Sequence, residues 1–250
     1  TNTGVLSGTN FICNTTTTNL SSTVGGGTWS SENTSVATID ASTGLVTPIS
    51  AGTATLVYTV GRGGACPIDT AQFHVTVSNA PVPAVLSGAQ NICAGNSITI
   101  TPSISGGVWS SSSNTIATVN TSGLVTGIGN GTATITYTIV AAAGCTDAVT
   151  TASVQVATAP NAGTLSGFQN INVGDLTSIS STSASAGTWS SSNPAVATVN
   201  SVGTVTALSV GTTTITFTVS GNGICPDATA TILITVSQPS PQNGSFTFSC

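Results

Sequence analysis

The sequence predicts an all-β chain of three tandem β-sandwich domains, and three observations carry this prediction. Trp29, Trp109 and Trp189 are 80 residues apart, and each stands in the same motif, Gly-Thr-Trp-Ser-Ser or Gly-Val-Trp-Ser-Ser. Thr, Val and Ile dominate short runs in which apolar and polar residues alternate, which is typical of half-buried strands. No segment has a helical period of useful length. A fixed period of this size indicates tandem domains, each with its tryptophan in the core.

The first unit contains seven runs with strand character, separated by Gly, Asn and Ser clusters. We expect these strands at residues 4–12, 15–24, 27–31, 36–40, 44–50, 53–61 and 69–77. Residues 40–44, 120–123 and 200–203 are expected to be hairpin turns, because Asn, Asp and Gly tolerate a left-handed backbone. Seven short antiparallel strands with one buried tryptophan indicate an immunoglobulin-like sandwich.

The period places the domains at residues 1–79, 80–158 and 159–237, and it leaves a tail at 238–250. Prolines stiffen the short linkers at 78–84 and 157–162. We therefore expect a rod of end-to-end domains, roughly 100–130 Å long if strands of about eight residues rise ~3.3 Å per residue.

The composition excludes several classes of function. Charged residues make up 3% of the chain, Arg62 is the one basic residue, and the net charge is −5. Nucleic-acid binding and a basic membrane-surface patch both need clustered Lys and Arg. No apolar run approaches the ~18 residues of a membrane span, so no membrane insertion is expected.

The titratable residues do not converge on a site. His74, the one histidine, is expected on the outward face of the last strand, and catalysis needs several such groups together. Asp69, Asp147 and Asp227 occur in the same loop of successive units, too far apart to share a calcium ion. We expect them to cap loop amides. Because the cysteines also lack a Cys-x-x-Cys pair, the sequence predicts no enzyme, metal or cofactor.

Four motifs recur in each unit in the same order. They are Trp-Ser-Ser, then Val-Ala-Thr-Val or a close variant, then Gly-Leu-Val-Thr, then Gly-Thr-Ala-Thr. In the third unit the last two motifs read Gly-Thr-Val-Thr and Gly-Thr-Thr-Thr. This pattern resembles bacterial immunoglobulin-like domains, group 2, over nearly the whole chain. The resemblance implies a stalk or spacer in a bacterial adhesin, invasin or surface protein, or a phage virion. Asn-Ile-Cys and Gly-Cys-x-Asp resemble repeats in large secreted proteins of Bacteroidota. The chain departs from a plain array at Asn172, which replaces a cysteine, and in its tail.

Six cysteines indicate disulfide bonds and therefore an oxidising, extracellular compartment. One scheme stays within units and pairs Cys13 with Cys66, Cys93 with Cys145, and Cys225 with Cys250. The other joins neighbouring units through Cys13–Cys145 and Cys93–Cys225, leaving Cys66 and Cys250 at the two ends. Both schemes fit the cysteine count. Alternating strand direction puts the loop after the first strand and the loop before the last strand at opposite poles of a unit, about 25 Å apart. Disulfide Cα atoms lie within ~7 Å of each other, so this separation favours the second scheme.

The second scheme implies a partner at each end of the chain. The tail carries Phe246, Phe248 and Cys250 in strand-like alternation, so it could add a strand to a neighbouring copy and bond that copy's Cys66. The alternative is continuation in a longer chain, since Cys250 stands where a fourth repeat would have its cysteine.

The sequence thus predicts an extracellular structural protein, a subunit or segment of a bacterial surface filament or adhesin stalk. Two alternatives stay open: a module that binds a glycan or host surface, and a phage fibre or decoration protein. Thr70 lies in an Asp-Thr-Ala triplet that resembles a Bacteroidota O-glycosylation site. The nearly uncharged Ser/Thr surface suits either a coat of surface glycans or lateral packing.

Overall fold

The computed structural model describes residues 3–61 and 68–240, in which every regular element is a β-strand. These residues form three repeats of nine strands each, so the all-β prediction of three immunoglobulin-like units is confirmed. The described part of the chain has no helix that could cross a membrane.

The strands of each repeat are short except for the last two. Those of the first repeat are β1 Leu6–Ser7, β2 Phe11–Cys13, β3 Thr18–Asn19, β4 Ser21–Ser22, β5 Thr28–Ser31, β6 Ala37–Ile39, β7 Leu45–Pro48, β8 Gly52–Val60 and β9 Asp69–Ser78.

The second and third repeats have the same element order. The second contains β10 Leu86–Ser87, β11 Asn91–Cys93, β12 Ser97–Thr99, β13 Thr101–Pro102, β14 Val108–Ser111, β15 Ala117–Val119, β16 Leu124–Gly127, β17 Gly131–Ile139 and β18 Ala148–Ala157. The third contains β19 Leu165–Ser166, β20 Asn170–Asn172, β21 Leu176–Ser178, β22 Ser180–Ser181, β23 Thr188–Ser191, β24 Ala197–Val199, β25 Thr204–Ala207, β26 Gly211–Val219 and β27 Ala228–Ser237.

Each repeat pairs its strands in the same three sheets. In the first repeat, a four-stranded sheet has the order β2-β9-β8-β5, a three-stranded sheet has the order β3-β7-β6, and β1 pairs with β4. The expectation of purely antiparallel strands is wrong at one place, since β2 runs parallel to β9 with Cys13 opposite Ser78. The same parallel pair joins β11 to β18 and β20 to β27.

Two predicted strands of the first repeat are each divided in two. The segment predicted at 4–12 forms β1, which pairs with β4, and then β2, which pairs with β9 in another sheet. The segment predicted at 15–24 is divided in the same way into β3 and β4. The chain passes from the sheet of β1 to the sheet of β2 at Gly8, where a Cβ would meet the Leu20 side chain of the facing segment. Gly88 and Gly167 stand at the same place in the other repeats.

The long hairpin β8–β9 agrees with the predicted strands at 53–61 and 69–77. Val75 and Val77 are buried and Phe73 is partly buried, whereas His74 between them is exposed, as the alternation predicts. The inner faces of the four-stranded and three-stranded sheets contribute to one apolar core in each repeat. Leu56, Ile135 and Ile215 occupy equivalent positions in the three cores and are fully buried.

The predicted turns are confirmed as tight loops that end in glycine. In the first repeat the Gly44 amide donates a 3.0 Å hydrogen bond to the Asp40 carbonyl, and Gly44 has a φ of 72°. Gly123 and Gly203 have φ values of 80° and 85°, which L-residues with side chains rarely adopt. A Cβ at Gly44 would come within 3.0 Å of Trp29 Nε1, so the turn also packs against the core tryptophan.

Candidate functional site: the junctions between repeats

The two disulfide bonds of the structure lie where one repeat meets the next. Because β2 is parallel to β9, its last residue Cys13 lies beside Ser78, where the chain leaves the first repeat. Cys145 lies in the loop between the last two strands of the second repeat, at the pole that faces this exit. We call residues 13–14, 78–80 and 140–147 the first junction. The second junction consists of residues 93–94, 157–159 and 220–227.

In the first junction, Cys13 bonds Cys145 with a Cα–Cα distance of 4.7 Å. The Ser78 hydroxyl donates a 3.0 Å hydrogen bond to the Ala143 carbonyl in the facing loop. On the first-repeat side, Asn14 Oδ1 accepts a 3.0 Å bond from the Ala80 amide, and its Nδ2 donates to Asn79 Oδ1 at 3.2 Å. Asn14 therefore holds the start of the linker against the edge strand that carries Cys13.

In the second junction, Cys93 bonds Cys225 with a Cα–Cα distance of 5.1 Å. Both cysteines are buried together with Ala157, and Ile224 packs against them. Asn222 Nδ2 donates a 3.1 Å hydrogen bond to the Thr158 carbonyl in the linker. Its Oδ1 accepts a 2.8 Å bond from the Cys225 amide, so Asn222 orders the loop and reaches across the junction.

The residue before each loop cysteine adapts the loop to its neighbour in a different way. In the first junction this residue is Gly144, and a Cβ there would lie 2.6 Å from the Ile12 amide nitrogen. The loop thus approaches the backbone of β2 so closely that a side chain has no room. The equivalent residue in the second junction is Ile224, whose side chain fills the apolar space beside the bond. Neither role was predicted from the sequence, although aligning the repeats brings Gly144 opposite Ile224.

The disulfides give each pair of neighbouring repeats a second covalent connection. Both bonds join residues 132 positions apart. The second bond is therefore equivalent to the first and lies one domain further along the chain. The within-unit pairs of Cys13 with Cys66 and of Cys93 with Cys145 are therefore not the bonds of the structure. Cys66 and Cys250 lie outside the described residues. In a chain-entropy model, closing a loop of this size stabilises the folded state by about 5 kcal/mol.

The second repeat is bonded at both of its poles. Cys145 precedes β18 in the chain, and Cys93 lies beside Ala157 at the far end of that strand. A ten-residue strand spans roughly 30 Å at ~3.3 Å per residue. The two bonds therefore hold the repeat from opposite ends, which gives an end-to-end arrangement of the three domains.

The tryptophans that the sequence assigned to the core each pack against a second aromatic ring in a tilted arrangement. The ring-centroid distances are 4.7 Å for Trp29 and Tyr58, 4.6 Å for Trp109 and Tyr137, and 4.7 Å for Trp189 and Phe217. Trp29 is buried, and the other two tryptophans are partly buried against their own cores.

Two of these partner rings also fix the loop before the tryptophan, which the sequence analysis did not foresee. The Tyr137 hydroxyl donates to the Ile104 carbonyl at 2.9 Å and accepts from the Gly107 amide at 2.7 Å. Tyr58 makes the same two bonds in the first repeat. Phe217 has no hydroxyl, so the third repeat lacks them. The sequence signal for this role was the recurrence of an aromatic residue, Tyr58, Tyr137 and Phe217, at the same position of each repeat.

The other predicted residues are spread over the chain. His74 Nδ1 lies 3.2 Å from Thr55 Oγ1 on an exposed sheet face. Thr70, the candidate glycosylation site, is exposed on β9. Asp147 Oδ1 accepts a 2.8 Å bond from the Ala141 amide, and Asp227 caps Gly221 in the same way. Asp69 stands one residue later in its repeat than Asp147 and Asp227 do in theirs, since it pairs with Val60 inside the hairpin. Phe246, Phe248 and Cys250 lie outside the described residues.

One carboxyl group has a clearly altered titration. The Thr43 amide donates a 2.8 Å hydrogen bond to Asp40 Oδ1, and the Thr43 hydroxyl and both donors of Ser42 add three more. Led by the Thr43 amide, these donors hold the pKa of Asp40 well below its usual range. This carboxylate stabilises its own turn. Among residues 3–61 and 68–240, no group of three or more His, Cys, Asp or Glu side chains is placed to hold a metal ion.

Several solved structures are similar to this chain at low sequence identity and low TM-score. The three-domain fragment of mouse protocadherin-24 is 12% identical, with 86% of this chain and 91% of that chain covered and a TM-score of 0.28. The crystal structure of invasin, a bacterial integrin-binding protein, is 15% identical, with 92% and 58% covered and a TM-score of 0.40. Domains 4 and 5 of the S-layer protein SbsC are 22% identical, with 56% and 82% covered and a TM-score of 0.25.

The family assignment comes from the sequence itself. No curated protein matches the chain. The family model of the bacterial Ig-like domain (group 2) matches three times, at residues 8–68, 74–149 and 148–224. These matches cover most of the chain, and there is one for each structural repeat, although the second and third matches begin within the last strand of the preceding repeat. The chain therefore belongs to the family of bacterial immunoglobulin-like domains, group 2.

Proposed function

We propose that this chain is a non-catalytic, extracellular structural protein, a stiff segment or subunit of a bacterial surface filament or adhesin stalk. The observation that carries the proposal is the double covalent connection at each junction, Cys13–Cys145 and Cys93–Cys225 beside the linkers. A single peptide linker lets two domains swing about it, whereas two separate attachments oppose both bending and twisting. Stiff end-to-end domains serve to hold a tip away from a surface.

The chemistry of the chain supports an extracellular location. Disulfides persist in oxidising compartments outside the cytoplasm. The repeat style that resembles Bacteroidota proteins suggests one of their large secreted surface proteins as the setting. Charged residues make up 3% of the chain and Arg62 is the one basic residue, so trypsin-like proteases have little to cut, which suits long exposure outside the cell.

Small-angle X-ray scattering tests the stiffness directly. We expect the oxidised protein to have a maximum dimension of roughly 100–130 Å, set by strand rise and three domains in line. A variant with C13S, C145S, C93S and C225S should keep its folded domains but give a broader distance distribution. Negative-stain images should show bent particles for this variant and straight ones for the parent. A parent that is as bent as the variant would contradict the proposal.

We further propose that the chain continues head to tail, either as a polymer of copies or within a longer chain. By repeat alignment, Cys66 occupies the loop position of Cys145 and Cys225, and Cys250 stands 78 residues after Asn172. The two bonds among the described residues use the other four cysteines. Joining one copy's Cys250 to Cys66 of the next would repeat the same kind of joint between molecules.

Non-reducing electrophoresis separates the two forms of continuation. A polymer gives a ladder of multiples that collapses on reduction and is absent from the C66S/C250S variant. The C13S/C145S variant keeps the ladder and serves as the matched control. A single monomeric band for the oxidised parent would contradict the polymer and leave the stalk segment as the function.

The exposed aromatic residues make a binding module the weaker alternative. Such a module needs a cluster of exposed rings on one repeat, but the three tryptophans pack against the cores. Phe168 is 82% exposed, at a place where the first two repeats have Thr9 and Ala89. Phe11 is the other exposed phenylalanine among the described residues, and it lies in a different repeat, so the two rings do not form a cluster and the structural role stays the proposal.

A further inference from the structure

The two disulfide bonds between described residues enclose overlapping stretches of sequence. The first closes a loop from Cys13 to Cys145, and the second closes a loop from Cys93 to Cys225. Because Cys93 precedes Cys145, residues 93–145 belong to both loops. Every peptide bond between Cys13 and Cys225 therefore lies inside at least one closed covalent loop.

We propose that this overlap makes the array a damage-tolerant tether, in which no single backbone cut between Cys13 and Cys225 separates its two ends. A cut in the first linker lies inside the first loop alone, and Cys13–Cys145 still joins the pieces. A cut in the second linker lies inside the second loop alone, and Cys93–Cys225 joins them. Cutting both linkers leaves three pieces, and the two bonds still connect them in order.

The folded state supports the same outcome. The linkers are the natural places for a protease to attack, since Val82 is 65% exposed and Thr158 and Ala159 are also exposed. The strands on both sides are held by sheets that do not depend on the linker, and the junction contacts of Ser78 and Asn222 reinforce the bonds. A cut linker should therefore leave the domains folded and in place.

The bonds within units would give the opposite result. If Cys13 paired with Cys66 and Cys93 with Cys145, each closed loop would end inside its own repeat. Neither linker would then be enclosed, and one cut in either would divide the chain. The fate of a cut chain therefore tests the proposal independently of the stalk function, because the bonds can be redundant whether or not the protein is a stalk.

The experiment places a site-specific protease sequence in one linker of the full chain, either between Val82 and Pro83 or between Ala159 and Pro160. After complete cleavage, intact mass under denaturing, non-reducing conditions should show one species at the full mass plus one water. Reduction should release two fragments. Separation of the fragments without reductant in the chain with all its cysteines would overturn the proposal.

Paired cysteine variants form a crossed control. Cutting the first linker should release fragments in C13S/C145S but not in C93S/C225S. Cutting the second linker should give the reverse. A C66S/C250S background should leave every result unchanged, which excludes a contribution from the two remaining cysteines. The same release in both paired variants would contradict the assignment of one bond to each linker.

Discussion

Removing the hydroxyl of Tyr137 should destabilise the second repeat by an amount that the structure allows us to estimate. This hydroxyl donates to the Ile104 carbonyl and accepts from the Gly107 amide, and the side chain is 2% exposed. Each hydrogen bond of this kind contributes about 0.5–1.5 kcal/mol to stability. The ring itself and its tilted contact with Trp109 are unchanged in Tyr137→Phe. We expect a loss of about 1–2 kcal/mol.

The third repeat supplies the reverse experiment. An ideal Cβ at Gly187 would lie 2.5 Å from Phe217 Cζ, the same distance as from Gly107 to Tyr137 Cζ. The two rings therefore sit alike beneath their loops, and a hydroxyl on Phe217 would reach the Gly187 amide. Phe217→Tyr should raise the free energy of unfolding by about 1 kcal/mol.

Urea unfolding followed by tryptophan fluorescence measures both changes, because each ring lies against a tryptophan. Hydrogen exchange then locates them: peptides that contain Gly107 should lose protection in Tyr137→Phe, and those that contain Gly187 should gain it in Phe217→Tyr. A cost below about 0.3 kcal/mol for the first variant, well under the usual contribution of one bond, would refute the reasoning. So would a destabilising effect of the second variant.

Three further predictions concern other sites. Gly144→Ala should hinder formation of Cys13–Cys145 in oxidative refolding, because its Cβ would lie 2.6 Å from backbone atoms of β2. Gly223→Ala, which has a similar φ but no atom within 4 Å of a Cβ, should leave its bond to form, and thiol labelling measures both. Asp40→Asn should remove a stabilising contribution that is present above about pH 3.9 and is lost as the pH falls towards the lowered pKa of the folded state. The free energies of unfolding of parent and variant should therefore differ most at pH 7 and converge as the pH falls below 4. Thr177→Val should raise thermal stability by about 1 kcal/mol, since its buried hydroxyl has no partner among the described residues and Ile98 fills the equivalent place; an unchanged midpoint would argue that water satisfies it.

The long hairpins were predictable because their pattern is redundant. Val75 and Val77 alternate with polar residues over ten positions, and the same alternation recurs in the other repeats. The short strands before the tryptophan were less predictable, because an alternation of apolar and polar residues cannot be recognised over two or three residues. The passage of the chain between sheets at Gly8 depends on how closely two segments approach each other, and a single sequence gives no signal for that distance.

The junctions were predictable in outline and not in detail. Counting strand directions indicates which poles of neighbouring repeats face each other, and this favoured the cysteine pairs that the structure contains. Strand direction does not reveal that β2 is parallel to β9, nor that Gly144 lets a loop touch the backbone of the previous repeat. The Tyr137 hydroxyl was missed for a similar reason, since its partners are backbone atoms without a sequence signature.

The overlapping loops also decide how far the molecule can be stretched. Pulled from outside Cys13 and Cys225, an unbonded chain could extend over 212 residues, about 740 Å at ~3.5 Å per residue. With both bonds, the shortest covalent route crosses to Cys145, runs back along the chain to Cys93 and crosses to Cys225. Only 52 residues lie on that route, about 180 Å fully extended. Tension therefore passes through the second repeat from its C-terminal to its N-terminal side. Residues 14–92 and 146–224 lie outside that route and carry no tension at full extension. The extension therefore ends once residues 93–145 of the second repeat have unfolded.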